Sequence, residues 1–110
     1  MNTYRQFHGE IPISEIGKEL RAIARSEKSN FKIMTGYGSS GGKSQSKFAA
    51  LKSLRNMKKE GLIKDYLPGE VRSQALLPSS PHYEAKLIYE QQIKSDSDYG
   101  NEGIIYVFKK

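Results

Sequence analysis

Asn30-Phe31-Lys32-Ile33-Met34-Thr35-Gly36-Tyr37-Gly38-Ser39-Ser40-Gly41-Gly42-Lys43-Ser44 runs from an alternating apolar stretch into a glycine-rich turn. The alternation predicts a strand over 30–34, with Phe31 and Ile33 on one face and Met34 on the other. Between Met34 and Ser44, four glycines and three serines leave the backbone free to take positive φ and to present N–H groups outward. A helix starting near Ser44 would add its own unpaired amides and the positive end of its dipole, with Lys43 and Lys47 alongside. Strand, turn and helix form the repeating unit of an α/β protein, and in outline an anion site.

Downstream of that turn, residues 44–60 read as a helix with Ala50, Leu54 and Met57 on one face and Leu51 at its margin. Phe48, Lys52, Arg55 and Lys59 fall on the opposite side. Gly61 is placed to close the helix, and Lys58 and Lys59 complement its dipole. Leu62 to Leu67 reads as a short strand stopped by Pro68-Gly69, and 70–81 as a loop. A third helix is expected over 83–93, with Tyr83, Leu87 and Glu90 or Gln91 sharing a face. Ile104 to Phe108 is a near-continuous apolar strand of the kind found in the interior of a sheet. Upstream, residues 3–7 are β-prone and end at His8-Gly9. A helix then carries Ile13, Ile16, Leu20, Ile23 and Ala24 on one stripe, with Ser14 as its N-cap and Gly17 set for close packing on the sheet. The order βαβαβ(α)β calls for a mixed, roughly four-stranded sheet packed with helices.

The 110 residues suffice for one domain, 1–110, and 36% apolar residues can supply its core. No cysteine is present, and His8 and His82 lie far apart, so no cofactor or metal site is read. The cysteine count fits a reducing compartment, and no apolar run has the length of a signal peptide or a membrane span. A cytoplasmic protein without a membrane partner is therefore expected. Charge is uneven: residues 1–64 hold thirteen Lys/Arg against five Asp/Glu, whereas 65–110 hold five against seven. Seven of the basic residues lie between Lys43 and Lys64, with Glu60 the one acid among them. Such a patch fits phosphate backbones, whose neutralisation releases counterions, and fits equally a solvated basic helix face.

Gly41-Gly42-Lys43-Ser44 supplies the end of a G-x-x-x-x-G-K-[ST] phosphate loop, but the position that should be its first glycine is Tyr37. No apolar strand ending in aspartate offers a magnesium ligand either, which argues against a nucleoside triphosphatase. A parallel βαβ unit would bring the turn at Phe7-His8-Gly9 beside the turn at Thr35-Gly36-Tyr37-Gly38, on the carboxyl edge where open α/β sheets place ligands. His8 there can hydrogen-bond a phosphate or move a proton near neutral pH, and can equally be a turn residue satisfied by a local carbonyl. Tyr37, between two glycines, can stack on an unpaired base or fold back over the sheet edge.

Taken in order, Arg5-Gln6-Phe7-His8-Gly9 and Thr35-Gly36-Tyr37-Gly38 resemble the two hallmarks of the Smr domain, the small MutS-related module: L-D-L-H-G after the first strand and H-G-x-G after the second. The Ile63-Lys64-Asp65-Tyr66-Leu67-Pro68-Gly69-Glu70 run, and Asp96-Ser97-Asp98 leading to Gly100-Asn101-Glu102-Gly103-Ile104, extend the likeness to a bacterial stand-alone subgroup over nearly the whole chain. The resemblance implies a two-layer α/β sandwich similar to the C-terminal domain of translation initiation factor three, binding to DNA or RNA, and in several relatives endonuclease or nicking activity. Gln6 stands where the family has an acid and Thr35 where it has a histidine; neither side chain titrates near neutrality, so binding should survive these changes better than cleavage.

The expected site therefore combines a nucleic-acid-binding surface of Gly9, Thr35, Gly36, Tyr37, Gly38, Ser39, Ser40, Gly41, Gly42, Lys43 and Lys47 with His8 as the one acid–base candidate for phosphodiester hydrolysis. Lys52, Arg55 and Lys59 would extend its electrostatic surface. A protein-interaction module whose basic surface meets an acidic partner is the other reading of the same charges.

Overall fold

The computed structural model describes residues 1–36 and 44–109. Four strands, β1 (Asn2–Tyr4), β2 (Phe31–Met34), β3 (Asp65–Pro68) and β4 (Ile104–Phe108), form one sheet in the order β1-β2-β4-β3. β1 runs parallel to β2, while β4 is antiparallel to both β2 and β3, so the sheet is mixed and the fold is α/β, as the element order demands. β4, the most apolar segment, takes an interior position and is buried along its length.

Helices α1 (Ile16–Ser26) and α2 (Gln45–Lys59) cover one face. Their stripes, Ile16, Leu20, Ile23 and Ala24 on α1 and Ala50, Leu54 and Met57 on α2, close over Phe31, Ile33, Tyr66, Ile105 and Val107. This layer and the sheet make the α/β sandwich. The other face packs a second cluster of Leu67, Ile104, Tyr106 and Phe108 beneath α3 (Tyr83–Ile93), a 3-10 turn at Gly69–Ser73 and Tyr99. There Lys32 reaches from β2 to Asp96 and Asp98, both at 2.9 Å, and ties the 96–98 turn to the sheet. Among the described residues no helix is long and apolar enough to cross a membrane.

Several local expectations are corrected. β1 stops at Tyr4, and Phe7 instead plugs the core from a turn over 6–10. Ser14 caps nothing, because Ile13–Glu15 is a 3-10 turn and α1 begins after it, leaving Ile13 exposed. Gly17 packs against α2 rather than the sheet; a Cβ there would come within 3.0 Å of Ser53 Oγ. The third strand starts later than Leu62, and Pro68 belongs to it, paired with Ile105 at the edge of the sheet, where a missing N–H breaks no ladder. The segment read as a loop from residue 70 opens with the 3-10 turn, which buries Val71. α3 has the expected bounds but packs a different face: Ala85, Tyr89 and Ile93 meet the sheet, and Leu87 points to solvent.

Candidate functional site

The register Tyr4↔Ile33 makes β1 and β2 end side by side, and the Arg5 guanidinium lies 3.6 Å from the Met34 sulfur just past those ends. The turns after the two strands therefore leave from one edge of the sheet. β3 runs in the same direction, so Gly69, Glu70 and the 3-10 turn emerge there as well. A Cβ on Gly69 would fall 2.5 Å from the Asn101 carbonyl oxygen, so only glycine admits the 98–103 turn this close.

His8 lies exposed in the first turn, which is held by its amide donating to the Arg5 carbonyl at 3.1 Å and by Glu10 N donating to Gln6 O at 3.2 Å. Gly9 takes φ +92° there, a value that favours glycine. Thr35 is fully buried: its amide donates to the Gly103 carbonyl at 2.7 Å, and its hydroxyl is directed to the same oxygen at 3.4 Å. Its side chain seals the sheet edge and is not presented outward. The Gly36 amide is directed to Ser46 Oγ at 3.4 Å, and Ser44, the N-cap of α2, accepts from Lys47 N at 3.2 Å. Tyr37, Gly38, Ser39, Ser40, Gly41, Gly42 and Lys43 lie outside the described residues.

Lys47, expected as a phosphate contact, donates its ammonium to the Glu70 carboxylate. The acid comes from the turn after β3, a neighbour that sequence distance conceals. Lys47 therefore reaches an added anion only by exchanging partners. The outer stripe of α2 differs: among the described residues no carboxylate pairs with Lys52, Arg55 or Lys59. Lys58 is held at 3.0 Å by Asp65, a buried carboxylate that also accepts from the Tyr66 amide at 2.9 Å.

Beside that stripe, the chain returns from the 74–80 segment and places Pro81 and His82 against Tyr66. The His82 ring stands edge-on to Tyr66, with centroids 5.7 Å apart. Its Nδ1 is buried without a hydrogen-bond partner among the described residues. Burial holds the imidazole below its ordinary pKa, with Glu70 and Asp65 pulling the other way and Lys47 adding to the depression. A groove of about 410 Å³ opens between Phe48, Lys52 and Arg55 on α2 and Tyr66, Pro81 and His82. A second hollow of about 400 Å³ continues it past Arg55 to Lys58 and Lys59. Sequence reasoning found the α2 half of this groove from the helical stripe; His82 gave no local signal, since its partner Tyr66 lies on another element.

Among the described residues no group of three or more His, Cys, Asp or Glu side chains is arranged to hold a metal ion. Comparison with family models, with curated proteins and with solved structures finds no match for this chain.

Proposed function

We propose that this chain is a nucleic-acid-binding domain that grips the phosphate backbone along the outer face of α2. The supporting observation is the stripe of Lys52, Arg55 and Lys59, which no carboxylate among the described residues neutralises, beside a groove whose far end carries Lys58. Lys52 to Lys59 spans about 10 Å of helix, enough to follow a backbone rather than clasp one isolated anion. The net charge of +6 favours the same partner, and the resemblance of the His8-Gly9 and Gly36-Tyr37-Gly38 motifs to the Smr domain points the same way. Phosphodiester cleavage is not part of this proposal. His8 is exposed, and the neighbouring Gln6 amide neither titrates nor charges an imidazole.

Binding of labelled DNA and RNA oligonucleotides, followed by fluorescence anisotropy at several salt concentrations, tests the reading. Affinity falls steeply with salt, and Lys52→Ala and Arg55→Ala each lower the magnitude of the log–log slope by about one. The strands are recovered intact. An affinity that does not change with salt, or no binding at low salt, overturns it.

A further inference from the structure

A helix that binds phosphate by charge alone needs only Lys and Arg on its outer face, yet α2 also presents an aromatic ring there. Phe48 is 69% exposed, one turn ahead of Lys52 and two ahead of Arg55. An aromatic residue so exposed gains little from folding, and here it opens onto concave space on both sides. On one side lies the groove closed by Pro81 and His82, with nearly buried Tyr66 beneath; on the other, a hollow of about 420 Å³ runs to Ile13 and Ser44.

We propose that Phe48 is a stacking platform for an unpaired base, so that the preferred ligand of this surface is a single-stranded nucleic acid, its base lying on the Phe48 ring and its phosphates following Lys52 and Arg55. The inference rests on the nucleic-acid reading above and specifies its substrate class. Charge complementarity selects a polyanion, since Lys52 and Arg55 beside the ring, and Lys59 one turn further along the helix, have no acidic partner among the described residues. The ring then selects among polyanions. A run of Asp and Glu offers carboxylates but no aromatic face, and the bases of a duplex are stacked on one another and closed to a side chain at the surface. The groove is the size of a small ligand site, not of a duplex, and both its walls carry planar or apolar groups against which a base can lie. His82, kept neutral by burial, adds no competing cation to that wall.

The test compares binding of fluorescein-labelled oligothymidylate, oligouridylate and a duplex of equal length to the wild type and to Phe48→Ala, Phe48→Leu and Phe48→Tyr. Phe48 is outside the core, and alanine is a better helix former, so the fold survives, which circular dichroism verifies. Phe48→Ala and Phe48→Leu weaken single-strand binding roughly 5- to 150-fold, while duplex binding changes little and Phe48→Tyr retains the wild-type affinity. Equal losses for single strand and duplex, unchanged binding in Phe48→Ala, or competition by polyglutamate as effective as by oligouridylate, each overturn the stacking site while leaving a charge-driven surface in place. If the wild type binds none of the oligonucleotides at low salt, the nucleic-acid reading itself fails.

Discussion

His82 shows how much of this surface is decided by single contacts. Its imidazole is half-buried against Tyr66, and burial lowers its pKa from the ordinary 6.5, despite the nearby carboxylates of Glu70 and Asp65. Between the depressed folded value and 6.5, the unfolded chain binds more protons than the folded one. Stability is therefore fully present above pH 6.5 and is lost as pH falls through the folded value. Thermal melts collected between about pH 8 and pH 5 should show the midpoint declining on the acid side, with that decline flattened in His82→Gln. An unchanged slope in the variant would mean that the imidazole is not the group responsible. Lys32 presents the reverse arrangement: burial alone would lower its pKa, but hydrogen bonds to Asp96 and Asp98 more than offset this and raise it. Its charge is thus retained inside the sheet's second face, where its ammonium also lies 6.0 Å from the centre of the Tyr106 ring. Neither role is visible in the sequence, because each depends on residues a dozen or more positions away that only the tertiary fold brings close.

At the level of elements, α2 carries both the core and the proposed interface, and it was the most legible part of the chain. Its start, stop and two faces are each written locally: Ser44 accepts from Lys47 N, Gly61 takes φ +78°, and Ala50, Leu54 and Met57 recur at helical spacing. α3 was legible in extent but not in orientation. Leu87 and Ile88 are apolar yet exposed, so its hydrophobic pattern has no single direction to read. The contact between α2 and the turn after β3 was not legible at all. Glu70 sits at the basic first turn of α2 and neutralises Lys47, as a bound anion would. Replacing it by glutamine frees the ammonium and removes a repulsive charge from the sheet's carboxyl edge. Glu70→Gln should therefore tighten oligonucleotide binding by roughly 2- to 5-fold and steepen the salt dependence by about one unit of slope. The ion pair is partly exposed, so the cost to stability should stay below about 1 kcal/mol. Weaker or unchanged binding in the variant would place Lys47 outside the interface and confine recognition to the outer stripe.

The whole molecule depends on β4. Ile105 and Val107 project into the cluster beneath α1 and α2, whereas Ile104, Tyr106 and Phe108 project into the cluster beneath α3. The same strand supplies the hydrogen-bonded neighbour of both β2 and β3, and among the described residues no other strand joins those two. Two cores separated by a sheet could in principle melt independently, but here they share five consecutive buried residues on one backbone. Loss of either cluster exposes the strand that holds the other. We therefore expect a single cooperative transition, with far-ultraviolet circular dichroism and the thermal loss of the Tyr99 amide resonance giving coincident curves; the latter reports on the second cluster, whereas tyrosine emission would mix it with Tyr66 in the first. Val107→Ala and Tyr106→Ala should lower the midpoint by both probes together, at a cost of about 1 to 3 kcal/mol for the valine and about 3 to 5 kcal/mol for the larger tyrosine, as expected for emptying a packed core. A chain ending at Gly103 retains β1, β2, α1 and α2, but leaves one edge of β2 and the whole of β3 without partners. It should remain unfolded, with dispersed amide resonances absent from its proton–nitrogen spectrum. Separate transitions for the two probes, or a folded chain lacking β4, would show that the α1–α2 layer is stable on its own. The proposed binding face would then not require the rest of the sheet.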